Sequence, residues 1–200
     1  MIVLDGKKTA QDLKEEIKIT VSEIRKDGQR SPHLAAILVG NDGASLTYVG
    51  SKVRSCKYVG FNSTLIHLDE STSEEILLKK IIELNHDDEL DGYIVQLPLP
   101  NHINEEKILL AIDPKKDVDG FHPSNFGRMA LEMDAFIPAT PFGIMELLER
   151  YQIETAGKHC VVVGRSHIVG RPISILMSQK GQAGNALLQL HIVELKIWFL

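Results

Sequence analysis

The sequence predicts an α/β protein: a parallel βαβαβ unit followed by the opening portion of a second α/β domain. Three observations carry this. Apolar strands recur at Leu34–Val39, Asn62–Leu68 and Gly92–Leu97, with starts 28 and 30 residues apart. Each gap holds an amphipathic helical pattern, 44–58 and then 73–85, and strands alternating with helices imply parallel pairing with right-handed crossovers. Further on, VVVGRSHIVGRP (161–172) reads as strand, glycine turn and helix start.

Taken in order, the chain opens with a predicted helix over 8–26, whose Ala10, Leu13, Ile17, Val21 and Ile24 form one apolar stripe. Asp27-Gly28 ends it. The three strand–helix units follow. Pro98-Leu99-Pro100 stops the third strand. A short helix is predicted over 104–112, and the polar stretch 115–125 reads as a loop. Thr140-Pro141 marks a helix start, Thr as N-cap and Pro at the first helical position, with the helix running to Tyr151. A strand over 160–164 then leads into the glycine turn and an apolar helix through Ile173, Leu176 and Met177. The predicted domains are 1–139 and 140–200.

Composition narrows the function. The 22 basic and 27 acidic residues give a net charge of −5, which disfavours nucleic acid and anionic membrane as partners. No apolar stretch reaches the length of a membrane span, and MIVLDGKKTA lacks the apolar segment of a signal peptide. Cys56 and Cys160 are far apart, and none of the eight histidines sits in a ligand spacing. The expectation is a cytoplasmic protein without a metal. The last twenty residues differ from the rest: they carry Glu194 and Lys196 as their only charges and the single Trp, Trp198. An apolar end of this kind needs a partner surface.

Several residues could carry chemistry. Tyr48 and Lys52 lie four apart on a predicted helix and share a face. A partly desolvated Lys beside a Tyr hydroxyl can act as acid or base; a solvated Lys beside a half-buried Tyr is the alternative. Gln96 closes the third strand at its carboxyl end, where α/β sheets place ligand contacts; a bond to loop backbone is the alternative. Asp117 and Asp119 in PKKDVDGFHPSN suit either Asx-type turn chemistry or a carboxylate that accepts paired N–H bonds from a heterocycle. In the glycine turn, Gly164, Val169 and Gly170 frame Arg165 and Ser166. A helix N-terminus there can hold phosphate, with Arg adding planar charge-assisted bonds. The Gly164-to-Gly170 spacing is not the GxGxxG fingerprint.

Together the segments TYVGSK (47–52), GYIVQLPLP (92–100), PKKDVDGFHPSN (114–125), FIPATP (136–141) and VVVGRSHIVGRP (161–172) resemble one family. It is the bifunctional methylenetetrahydrofolate dehydrogenase/methenyltetrahydrofolate cyclohydrolase family, called FolD in bacteria. The resemblance spans residues 1 to about 185. It implies a folate-binding catalytic domain followed by part of a Rossmann-type NAD(P)-binding domain. It implies NADP rather than NAD as cofactor, no metal, a folate substrate and a place in one-carbon metabolism that feeds purine biosynthesis. Lys52 matches the family's catalytic lysine, Tyr48 the tyrosine that stacks on the folate, Gln96 the glutamine that bonds to the lysine, and Asp119 the aspartate that anchors the pterin. Arg165 and Ser166 match the phosphate-binding positions, and Thr140 and Pro141 those lining the cleft between domains. The resemblance also implies a homodimer, paired in the family through the cofactor domain that is largely absent here.

The resemblance fails in the tail, from about residue 182. Family members continue into further strands of the cofactor domain and return a C-terminal helix to the first. The expectation is that one strand and one helix of that domain remain, as after a frameshift or an interrupted gene. Two alternatives to the active enzyme follow: an inactive relic with intact site residues, or a different nucleotide-dependent oxidoreductase.

Overall fold

The computed structural model describes residues 3–180 and 184–191, the last four of these as backbone alone. The chain forms two compact units, Asp5–His122 and the part from Pro123 onward with the N-terminal residues.

The first unit carries helix α1 (Gly6–Lys26), strand β1 (His33–Val39), helix α2 (Gly43–Val59), strand β2 (Asn62–Leu68), helix α3 (Glu74–Asn85), strand β3 (Gly92–Val95) and helix α4 (Glu105–Ala111). The strands form a parallel sheet in the order β2-β1-β3. Each of these helices starts on a side-chain cap: Asp5, Asp42, Ser73 and Asn104 accept from the backbone N–H three residues on. Period-two alternation then sorts the sheet's two faces. Ala35, Ile37, Val39, Tyr93 and Val95 face Leu77, Ile81 and Leu84 of α3 and Ile108 of α4. Ala36 and Ile94 pack with Val49 and Val53 of α2 and with Val118.

Two expectations need correction here. The apolar stripe of α1 is only partly covered: Val21 is buried and Leu13 and Ile24 are half-buried, while Ala10 is exposed and Ile17 remains 40% exposed. Surface polar contacts supplement that packing. Gln11 donates to the Tyr58 hydroxyl, Tyr58 donates to Glu15, and the Lys18 ammonium lies 4.9 Å from the Tyr58 ring centre. The third strand also ends at Val95, two residues earlier than expected, although Gln96 N still donates to Ile37 O.

The second unit carries helix α5 (Pro123–Ala130), helix α6 (Ala139–Arg150), strand β4 (His159–Val163), helix α7 (Gly170–Ser178) and strand β5 (Leu187–His191). The compact units divide after His122, because α5 packs on α7: Met129 is buried and its carbonyl accepts from Gln179 Nε2. Thr140 is not the cap of α6. Pro138 holds that position, so Thr140 and Pro141 lie inside the first turn, where backbone N–H groups lack helical partners and Pro is tolerated. The tail also contributes more than expected. Residues 187–191 pair with β4 in parallel, Val161 opposite Gln189, so two strands of this domain are present. The remainder of the tail, 192–200, lies outside the described residues.

Candidate active site

The first unit gathers part of the expected set. Tyr48 and Lys52 stand one turn apart on α2, and Tyr48 is 66% exposed. The Lys52 ammonium lies 3.8 Å from Asp119 Oδ1. Asp119 comes from the loop after α4, so the pair joins two segments far apart in sequence. Burial pushes the Asp119 carboxyl above the usual range; Lys52 pulls it down, and the neighbouring Asp117 pushes it further up. Gln96 does not reach Lys52. Its Nε2 donates to Leu97 O at 2.7 Å, and its Oε1 is buried without a hydrogen-bond partner among the described residues. A buried acceptor left open at the carboxyl end of a strand is a place for a ligand donor.

Beside Lys52 and Asp119 is a cavity of about 310 Å³, at the small end of the range for ligand pockets. Ala36, Ile94 and Val118 give it an apolar wall, and Cys56, Ser63 and Thr64 also border it. Cys56 is the residue that sequence reasoning passed over. It stands four residues beyond Lys52 on α2, and that helical spacing was the available signal. Burial pushes its thiol up, keeping it protonated.

Asp117 and Asp119 have different surroundings. Asp117 is the turn residue: it is 2% exposed, and its carboxylate accepts from Phe121 N and His122 N. Asp119 is the one that faces Lys52. Gly92 permits this arrangement. A Cβ there would come within 2.3 Å of Val118 Cγ1 and 3.2 Å of Lys116 O, so only glycine lets the loop lie against β3.

In the second unit, Gly164 adopts φ 138°, a conformation that side chains rarely take. A Cβ on Gly170 would meet the Gly164 carbonyl at 2.8 Å, which explains why both ends of the turn are glycine. Arg165 and Ser166 are exposed at the turn. Ser166 Oγ accepts from Val169 N and Gly170 N, each at 3.1 Å, so the side chain stabilises the start of α7. Pro141 is buried and Thr140 exposed on the first turn of α6. Among the described residues no group of three His, Cys, Asp or Glu side chains is placed to hold a metal ion, and no helix is long and apolar enough to cross a membrane.

Fold and site thus define an α/β protein with a lysine–aspartate pair at the sheet of one unit and a strand–glycine-turn–helix in the other. Residues 4–119 match the tetrahydrofolate dehydrogenase/cyclohydrolase catalytic domain, and residues 138–194 the NAD(P)-binding domain of the same enzymes. The chain belongs to the tetrahydrofolate dehydrogenase/cyclohydrolase (FolD) family. It is 72% identical over 186 residues to the bifunctional protein FolD of Flavobacterium johnsoniae, covering 93% of this chain and 63% of that protein. The FolD of Flavobacterium psychrophilum is 66% identical over the same shares. The chain therefore spans 63% of the length of these curated relatives. Among solved structures, FolD from Campylobacter jejuni superposes with a TM-score of 0.91 at 43% identity, over 98% of this chain and 68% of that one. The Trypanosoma brucei enzyme, complexed with NADP and inhibitor, gives 0.87 at 32% identity, over 94% and 63%.

Proposed function

We propose that this chain carries the folate-site machinery of a bifunctional enzyme. It would oxidise 5,10-methylenetetrahydrofolate to the 5,10-methenyl cation with NADP⁺, then hydrolyse that cation to 10-formyltetrahydrofolate. The observation that carries the reading is the Lys52–Asp119 pair at 3.8 Å beside the cavity, within a chain of this family. Asp119 anchors the pterin, its carboxylate accepting N–H bonds from the heterocycle. Tyr48, exposed one turn before Lys52, offers its ring face to the folate. The unpartnered Gln96 Oε1 is an acceptor for a donor on the ligand or on Lys52 once the ligand is bound. NADP⁺ supplies a hydride acceptor when bound. Arg165 and Ser166 suit its phosphates: they are exposed on a turn that Gly164 and Gly170 bring close to the backbone.

Hydride loss leaves a cation spread over two nitrogens, so the first step rests on orientation more than on a base. The second step moves protons. Water adds to the bridging carbon and the bond from that carbon to N5 breaks. One water proton ends on N5, the other leaves to solvent, and Lys52 Nζ is the group placed to carry it.

The exposed face of the β4–β5 pair favours a second reading, a folate-binding chain without turnover. Val161 is 50%, Val163 69% and Leu187 65% exposed there, although parallel sheets are ordinarily covered on both faces. One experiment decides. The purified 200-residue chain is assayed for NADP⁺-dependent absorbance change with methylenetetrahydrofolate and for methenyltetrahydrofolate hydrolysis, beside Lys52→Met. The expected result is hydrolysis that Lys52→Met reduces at least ~100-fold while tetrahydrofolate still binds, within the scale of positioned acid–base catalysis at ~10²–10⁴. Full turnover in Lys52→Met removes Lys52 from the role. Folate binding with neither activity establishes the second reading.

A further inference from the structure

Asp117 has both carboxylate oxygens engaged within the first unit. Oδ2 accepts from His122 N at 2.8 Å and Oδ1 from Phe121 N at 3.3 Å. Its backbone carbonyl accepts from Gly120 N at 3.1 Å, closing a turn of which Val118 and Asp119 are the two middle residues. Gly120 completes the turn at φ 68°. The residues before the turn are anchored as well. Lys116 O accepts from Tyr93 N at 2.9 Å, and Lys116 Nζ donates to the carbonyls of Leu84 and Asp87. A bridge pairs Tyr93 with Asp117 in parallel, making this stretch a short extension of the sheet beyond β3.

We propose that Asp117 is a positioning residue for the folate site: its carboxylate clamps the Asp117–His122 turn and thereby holds Asp119 beside Lys52. The inference rests on the reading of Asp119 and Lys52 given above and deepens it. Asp117 sits at the base of the turn, its oxygens pointing along the chain toward Phe121 and His122, while Asp119 at the crest reaches α2. Each N–H meets a different oxygen of the Asp117 carboxylate, so Asn, whose amide puts an NH₂ donor in one of the two places, cannot keep both bonds in this geometry. Beyond that clamp, the crest is held by Val118 packing against Ala36 and Ile94 and by the Lys52 pair.

The test separates positioning from simple stability by reading the coupling between Asp119 and Lys52. In the full 200-residue chain, the Asp119 carboxyl is titrated by ¹³C NMR, assigned with Asp119→Asn, in the presence of Lys52 and in Lys52→Met. Lys52 lowers the Asp119 titration midpoint, so Lys52→Met raises it. In Asp117→Ala that Lys52-dependent shift disappears. Asp117→Asn keeps one acceptor oxygen and the fold, and retains only part of it. Tetrahydrofolate binding, measured by calorimetry, weakens at least tenfold in Asp117→Ala and less in Asp117→Asn. An unchanged Lys52-dependent shift in either folded variant overturns the proposal. So does unchanged tetrahydrofolate affinity in folded Asp117→Ala. A wild-type chain that binds no tetrahydrofolate overturns the folate reading instead, and the titration still decides whether Asp117 positions Asp119.

Discussion

Gly92→Ala tests how the site loop is seated. A methyl group at this position would stand 2.3 Å from Val118 Cγ1, more than 1 Å inside ordinary contact, and 3.2 Å from Lys116 O. The carbonyl cannot retreat freely, because Tyr93 N holds it at 2.9 Å. Val118 must therefore move. Overpacking at a filled contact, off-rotamer side chains included, costs ~1–3 kcal/mol. Loss of glycine's freedom in the unfolded chain offsets ~0.4–1 kcal/mol. The net expectation is a loss of about 1–2 kcal/mol from the first unit. Because the chain has two units, the assay is hydrogen exchange of the β1 and β3 amides across a urea series, which reports opening of this unit by itself. Val118→Ala removes the colliding atom. In that background Gly92→Ala should cost measurably less than alone, the difference being the coupling of two residues in contact, ~0.5–3 kcal/mol. If Gly92→Ala costs as much together with Val118→Ala as it does alone, the collision is not the reason for glycine here.

Two further outcomes are expected. Asn85 Oδ1 accepts from the buried Tyr93 hydroxyl at 2.7 Å and from Asp113 N at 2.9 Å, while its Nδ2 donates to Ala111 O at 2.8 Å. Asn85→Ala breaks all three and leaves partners unsatisfied, so the same exchange measurement should show a loss of about 2–4 kcal/mol; a loss below about 1 kcal/mol would mean water replaces the amide. Asp119 has a folded-state pKa above its ordinary value of 3.8. Its contribution is therefore fully present below the unfolded pKa and lost as pH rises through the folded one. Asp119→Asn should remove that decline from a stability profile taken between pH ~3 and ~7, and a profile of unchanged slope would contradict it.

The sequence by itself determined the order and kind of the elements except α5 and β5: the stretch read as a loop over 115–125 runs into a helix from Pro123. The strand spacing, the helical periodicities between the strands and the glycines bounding 164–170 are local signals, because propensity and periodicity act over a few residues. The shared face of Tyr48 and Lys52 was legible for the same reason. Only the tertiary structure decided what meets across elements. Periodicity marked a stripe on α1 without saying that only Val21 of it is fully buried. It could not tell that Lys52 faces Asp119 and not Gln96, because that pairing depends on how the loop after α4 crosses β3, where Gly92 makes room. Two aspartates in one short motif look alike in sequence. Burial and hydrogen-bond direction separate them: Asp117 turns inward to the backbone, and Asp119 reaches the lysine. The tail shows the same limit. Its apolar run could not be read as a strand until β4 offered an edge on which 187–191 completes its hydrogen bonds.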